Sequence, residues 1–437
     1  METKRNSTLA LWLPTIWYAI AASRAVGQWL NLLGYEVTTG VDYLEGSPID
    51  RVVFSTLILL GVVILFRRRI DWRKIARGNA SILTLFAYML FSALWSDFSE
   101  VSIKRWIRAG GDLVMVLVVL TEPNPVEAIS ALLRRCFYLH LPLSIILIKY
   151  FRTIGVGWTD TGAEMWMGVT THKNVLGELC MVSGVFFLWN MTRKRMNKST
   201  IIDVLYLFMT LWLLNGSDTS RSNTGLFMFA AGAAMLLYAS FAKANPRHIR
   251  RHLLKGAFLI ALLYLILQAS AGVATGKSPL SFIIETSGRD STLTGRTDLW
   301  NDVFDIANRH PIFGVGYGSF WIGDKANNLW ERHIWKPSSA HNGYLDVYVE
   351  LGVVGLFLLL LIIIISFRNI ATTFELDFEY GRLRLALFFA ILLHNITESS
   401  FLRGASNLWF IFLLVAVTVP GISTGAQEIK SNAHTSP

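Results

Sequence analysis

The sequence predicts an all-α polytopic membrane protein, and three observations carry that prediction. Apolar residues fill 53% of the 437 positions and charged residues only 16%, against roughly 25% charged in an ordinary soluble domain. Apolar stretches of near-spanning length recur along almost the whole chain. Lys and Arg fall between those stretches instead of along one face. Helices are the expected form, because a backbone in hydrocarbon must satisfy its own hydrogen bonds. The 15 Trp and 27 Phe exclude disorder. The formal charge of +10 reads as orientation signals, not as a nucleic-acid surface.

A bilayer core takes roughly 20 mostly apolar helical residues, and about twelve stretches meet or approach that length. They lie near 9–33, 52–66, 79–95, 106–120, 128–150, 173–190, 199–215, 224–242, 256–275, 345–367, 383–399 and 406–420. The first could be a signal peptide cut after Ala19-Ile20-Ala21. Its apolar run continues to Leu33, however, which favours an uncleaved span. Cys136 and Cys180 both fall within apolar stretches, so neither a disulfide framework nor a zinc site is expected.

Basic residues in short loops mark the cytoplasmic side. Arg67, Arg68, Arg69, Arg73, Lys74 and Arg77 follow the second span. Arg193, Lys194, Arg195 and Lys198 follow the sixth, and Lys243, Arg247, Arg250, Arg251 and Lys255 the eighth. Those loops share a side with both termini. The opposite side opens on an acidic loop with Glu36, Asp42, Glu45 and Asp50. The chain therefore reads as one membrane domain, 1–437, with cytoplasmic termini.

Between the ninth and tenth spans lies the longest loop, 276–344, on the extracytoplasmic side. Loops of that length commonly carry function. Within it, Thr297 to Asn308 has helical spacing, with Leu299, Val303, Ile306 and Ala307 on one face. Pro311, Gly314, Gly316 and Gly318 end that helix. The loop is expected to fold as a cap over the membrane domain.

Phosphate-loop, dinucleotide and Asp-x-Asp signatures do not occur in usable form. ATP, NAD and nucleotide-sugar donors thus have no evident seat, and neither cofactor nor metal is expected. The remaining polar residues gather at the extracytoplasmic ends of spans, where they are costly unless paired or used. Thr171-His172-Lys173-Asn174 opens the sixth span, as headgroup-level snorkelling or as a binding group. Ser217 to Thr224 forms a polar turn whose Arg221 stands on the side the orientation rule disfavours. In the long loop, Arg289 precedes Leu293-Thr294-Gly295-Arg296-Thr297-Asp298. Thr297 or Asp298 can cap the following helix, and Arg296 just before a helix start suits phosphate oxygens.

Ala340-His341-Asn342-Gly343-Tyr344-Leu345-Asp346 opens the tenth span. Asn342, Asp346 and Glu350 stand at i, i+4 and i+8, a polar stripe expected to run into the membrane with His341 at its mouth. His341 is the side chain suited to take a proton near neutral pH. His394, Asn395 and Glu398 close the eleventh span, with Glu398 placed to pair with an arginine.

In this order the motifs resemble the O-antigen ligase and polysaccharide polymerase family. The stretches that carry the likeness are Gly168 to Gly177, Ser220-Arg221-Ser222-Asn223-Thr224, Gly288-Arg289-Asp290 with Leu293 to Thr297, His310-Pro311 with Gly314 to Gly318, and Ala340 to Asp346. Together they cover about 150–400. His172-Lys173-Asn174, the Leu293 to Thr297 run and Asn395 to Glu398 are most similar to the branch that polymerises exopolysaccharide repeat units. Asn223 departs from the family pattern.

The resemblance implies a GT-C-like membrane glycosyltransferase. Its donor would be an oligosaccharide on undecaprenyl pyrophosphate, its transfer inverting and metal-independent, and a chain-length regulator a further partner. His341, Arg296 and Arg221 would then be catalytic. Arg289, His172, Lys173, Asn174, Asn342, Tyr344, Asp346, Glu350 and Glu398 would bind substrate. His341 would be either the base or a pyrophosphate ligand. An O-antigen ligase acting on lipid A core is the alternative, and a polysaccharide or solute transporter the second.

Overall fold

The structure, a computed structural model, describes residues 7–35, 47–159, 162–193, 198–217, 219–245, 252, 255–256, 258–259, 294–333 and 335–419. The expected ninth span, 256–275, lies almost wholly outside them. Every other expected span coincides with helix. In order these are α1 (Trp12–Ala21, entered by a 3-10 turn), α2 (Val26–Leu32), α3 (Pro48–Arg67), α4 (Trp72–Gly78), α5 (Ala80–Phe91), α6 (Ser99–Leu120), α7 (Pro125–Tyr150) and α8 (Arg152–Gly155). A hairpin of β1 (Val156–Trp158) and β2 (Glu164–Trp166) follows, then α9 (Lys173–Arg193), α10 (Lys198–Asn215) and α11 (Asn223–Ala244). Within the long loop lie α12 (Thr294–Ala307) and α13 (Gly323–Arg332), and α14 (Gly343–Leu376), α15 (Phe378–Thr397) and α16 (Asn407–Ala416) follow. The chain is an all-α, multi-pass membrane protein. Five described helices are long and apolar enough to cross a bilayer unaided, six if the bent pair α1 and α2 counts as one span.

Polar anchors collect at the two ends of the bundle. At one end Arg68 pairs with Glu122, whose carboxylate also accepts from Thr8 Oγ1 at 2.7 Å. Arg193 pairs there with Glu127. At the other end the described part of the long loop forms a cap. Lys325 pairs with Asp97, and the Arg105 guanidinium donates to the Gly318 carbonyl.

The cap has its own apolar core, built on Leu299, Val303, Phe320 and Trp321, distinct from the large core among the spans. Its helix starts at Thr294, a turn earlier than the spacing suggested. Arg296 is thus in the first helical turn with Thr297 and Asp298 following inside the helix, and neither Thr297 nor Asp298 is the cap. Asp298 is exposed there, while Leu299 is buried in the cap core.

Two spans differ from expectation. The first is broken at Ala22 to Ala25, with α1 and α2 inclined by 60°. Arg24 sits in the break and donates to the Ile154 carbonyl at 2.7 Å. A guanidinium in an otherwise apolar run needs an acceptor, and the bend supplies one.

The tenth span is broken near its start, and its first residues pack in the cap. Leu345 and Val349 belong to the cap core, and the helix breaks at Gly352 (φ 65°, ψ −164°). Around that break the loop 310–318 takes over the hydrogen bonding. Val353 N–H donates to the Pro311 carbonyl at 2.9 Å, and Gly316 N–H to the Glu350 carbonyl at 2.9 Å. α14 is therefore two helices joined at Gly352, and the second, 353–376, is by itself about 36 Å long, enough for a hydrocarbon core of roughly 30 Å. The first turns of α14 belong to the cap. Hydropathy cannot separate residues facing a protein core from residues facing lipid, which is why 345–367 read as membrane from its start.

Candidate active site

His341 is fixed from both sides in sequence. Ala340 just before it donates its N–H to Asp346 Oδ1 at 2.9 Å and accepts at its carbonyl from Trp300 Nε1 at 2.7 Å. Asn342 just after it caps α14, its side-chain oxygen accepting from the Tyr344 and Leu345 N–H groups. Between these ties His341 takes a left-handed backbone, φ 48°. A non-glycine residue holds that conformation only when its surroundings over-determine it, and such residues cluster at functional sites.

The imidazole Nδ1 meets Glu398 Oε2 at 2.7 Å. The ring lies 5.4 Å from that of Trp335, and Nε2 has no hydrogen-bond partner among the described residues. Glu398, just past the end of α15, is the hub. Its other oxygen accepts from Arg296 at 3.0 Å and from Asn174 Nδ2 at 2.7 Å. Arg296 also donates to the Thr397 carbonyl at 2.6 Å. Four segments distant in sequence thus converge on one carboxylate: the start of α9, the first turn of α12, the mouth of α14 and the end of α15.

Close backbone approach makes this possible at Gly343. A Cβ there would lie 2.0 Å from Asn395 Oδ1, and the Gly343 N–H donates to the Glu398 carbonyl at 3.1 Å. Asn395 turns the chain after α15, accepting from the Ser400 and Phe401 N–H groups.

The rim is basic. His172 Nδ1 accepts from the Asn174 N–H at 3.2 Å, which fixes the tautomer so that Nε2–H faces outward. Partial desolvation by its neighbours lowers the His172 pKa although the residue is exposed at the rim, with the Glu398 charge opposing and Lys173, His341 and Arg296 adding to the shift. Lys173 is half-buried beside it. Arg221 is exposed and has no side-chain hydrogen bond or ion pair among the described residues. Its turn lies against α9, because a Cβ at Gly177 would meet Ser222 Oγ at 2.3 Å. Gly177 lies three residues after Asn174 on α9. Helices α9, α11, α12 and α14 all begin at this end, and their N-terminal N–H groups favour an anion.

Several expected binding residues are engaged in framework. Asn342 is the helix cap. Tyr344 donates to the Leu392 carbonyl at 3.0 Å and meets Phe401 edge-on. Asp346 accepts from Trp321 Nε1 at 3.0 Å and pairs with Arg403 at 3.2 Å. Glu350 accepts from the Gly318 N–H at 2.9 Å. The stripe exists as helix geometry, and its carboxylates tie α14 to the cap and to the loop 310–318. Arg289 lies outside the described residues.

Glu178 was not apparent from the sequence. It lies one turn below Asn174 on α9, with an oxygen 3.6 Å from His394 Nε2, and its signal was the i, i+4 spacing from Asn174. Trp335 beside His341 and Arg403 beside Asp346 carried no sequence signal, since only the folded cap brings them near.

Fold and site together define a multi-pass membrane protein with a histidine, carboxylate and arginine cluster at one end of its bundle. Residues 204–360 match the family described as O-antigen ligase, a stretch that holds Arg221, Arg296 and His341 and stops short of Glu398. The chain is 27% identical over 311 residues to the exopolysaccharide production protein ExoQ of Rhizobium meliloti (strain 1021), covering 68% of this chain and 67% of that one. It is 26% identical over 178 residues to an uncharacterized protein of Haemophilus influenzae, covering 39% and 43%. The chain is thus similar, over part of its length, to the O-antigen ligase family and to an exopolysaccharide production protein.

Proposed function

We propose that this protein polymerises exopolysaccharide repeat units carried on undecaprenyl pyrophosphate, at the extracytoplasmic face of the bacterial inner membrane. The observation that supports it best is the pairing of His341 with Glu398 beside Arg296. A carboxylate on Nδ1 orients an imidazole and steadies its protonated form, leaving Nε2 to act. In this reading Nε2 takes the proton of an acceptor hydroxyl. The hydroxyl oxygen forms a bond to the anomeric carbon of the donor, and the bond from that carbon to the pyrophosphate oxygen breaks. One displacement of this kind inverts the anomeric configuration.

Negative charge develops on the departing pyrophosphate. Arg221, Lys173, the His172 Nε2–H and the helix N-termini supply positive potential for it, with Arg296 adding charge from its seat on Glu398. Arg289 and a chain-length regulator complete the proposal without a described contact. The twelve-span GT-C-like architecture, the single membrane domain with its 276–344 loop and the cytoplasmic termini belong to the same reading.

The ligase alternative shares this chemistry and differs in acceptor. The family match carries that name, whereas the longer relative carries the name of exopolysaccharide production, which favours the polymerase. The test is genetic. His341→Ala, Arg296→Ala and Arg221→Ala proteins should reach the membrane at normal levels while cells lose long polymer and accumulate lipid-linked single repeats. Full-length polymer from all three would refute the assignment.

A further inference from the structure

The hairpin of β1 and β2 stands beside this site with no role in it. Val156 pairs with Trp166 and Trp158 with Glu164, so all four side chains share one face. The lower rung is anchored: Val156 is buried, and Trp166 lies 4.7 Å from the Trp212 ring of α10. The upper rung, about 6.6 Å further out, is different. Trp158 is 65% exposed, and its cross-strand partner Glu164 pairs with Arg152 at 2.8 Å. The hairpin is also tied to the Arg221 turn, because Thr219 Oγ1 and Ser220 Oγ both donate to the Glu164 carbonyl, at 3.1 and 2.9 Å. After Trp166 the chain runs within a few residues to His172 and Asn174.

We propose that Trp158, Glu164 and Arg152 form a glycan subsite that seats a pyranose ring of the saccharide entering or leaving the transfer site. An exposed indole offers an apolar face to the C–H side of a sugar, and the adjacent carboxylate and guanidinium offer an acceptor and donors to its hydroxyls. Indoles also favour membrane interfaces, but here Trp166 is packed on Trp212 while Trp158 is exposed beside an ion pair. This subsite rests on the glycosyl-transfer reading for its use, not for its existence.

The test uses the purified full chain in proteoliposomes, lipid-linked repeat unit as donor, and free oligosaccharides hydrolysed from the polymer as competing acceptors. Trp158→Leu and Trp158→Tyr are compared with wild type. Trp158→Leu should raise KM about tenfold, the size of one lost ring contact, with kcat little changed, and Trp158→Tyr should restore it. A rise in KM for the lipid-linked donor assigns the subsite to donor glycan. Weaker inhibition by the free oligosaccharides assigns it to acceptor. Leu performing as well as Tyr would show a lipid anchor and overturn the subsite, as would unchanged KM in both variants. If wild type elongates nothing, direct binding of the free oligosaccharides, read by tryptophan fluorescence, decides separately. Trp158-dependent binding would then keep the subsite while the polymerase reading falls.

Discussion

At His172 two features agree without having been arranged to. Its Nδ1 accepts a backbone hydrogen bond, which needs a neutral ring, and its pKa is lowered by partial desolvation. Selectively labelled histidine NMR, assigned with a His172→Asn variant, should show it titrating below the ordinary value of about 6.5. The sign follows from linkage: a folded pKa below the unfolded one makes the unfolded chain bind protons better. The contribution of His172 is then nil above the ordinary value and destabilising as pH falls through it. Titration at or above that value would contradict the geometry.

Residue types at this site were largely legible in the sequence. His341, Arg296, His172, Asn174 and Glu398 were all singled out from polarity at span ends. Their roles were less so. Asp346 and Glu350 read as substrate-binding residues below His341 because spacing shows which residues share a helix face but not what covers that face. The cap that covers it is folded by contacts such as Trp321 to Asp346, between residues whose pairing depends on tertiary structure.

At the scale of elements, the break in α14 does the positioning. Gly352 has φ 65° with extended ψ, a region essentially confined to glycine, and a Cβ there would lie 2.2 Å from the Ile312 carbonyl oxygen. Gly352→Ala is expected to lower stability by about 1–3 kcal/mol or more. Thermal unfolding of the purified protein in detergent should show the drop, together with reduced polymer formation. An unchanged melting temperature would mean that the break is not held as described.

The helices themselves were readable from apolar length. Their ends and breaks were not, for a stated reason in each case. Arg24 interrupts the first span and finds its acceptor at Ile154, far along the chain. Leu345 and Val349 are apolar because they fill the cap core. Apolar length measures what water avoids, and a protein core and a lipid tail satisfy it equally.

For the whole molecule, the account needs the cap and His341 to face outward. Glu331 in α13 and Lys74 in α4 are both exposed and lie at opposite ends of the bundle. The two natural cysteines are buried, so a membrane-impermeant maleimide has little background. Glu331→Cys should label in intact spheroplasts and Lys74→Cys only after permeabilisation. The reverse pattern would place the site on the wrong side.

The central claim is that the cluster of His341, Glu398 and Arg296 performs glycosyl transfer from a lipid pyrophosphate. The most direct measurement follows undecaprenyl pyrophosphate release and new glycosidic bonds together, in proteoliposomes of purified protein given lipid-linked repeat units. The account predicts one pyrophosphate lipid released per bond formed and inverted configuration at the new linkage. It also predicts a rate loss of roughly a hundredfold or more for His341→Gln. Wild-type rates from His341→Gln, or retained configuration at the linkage, would contradict it.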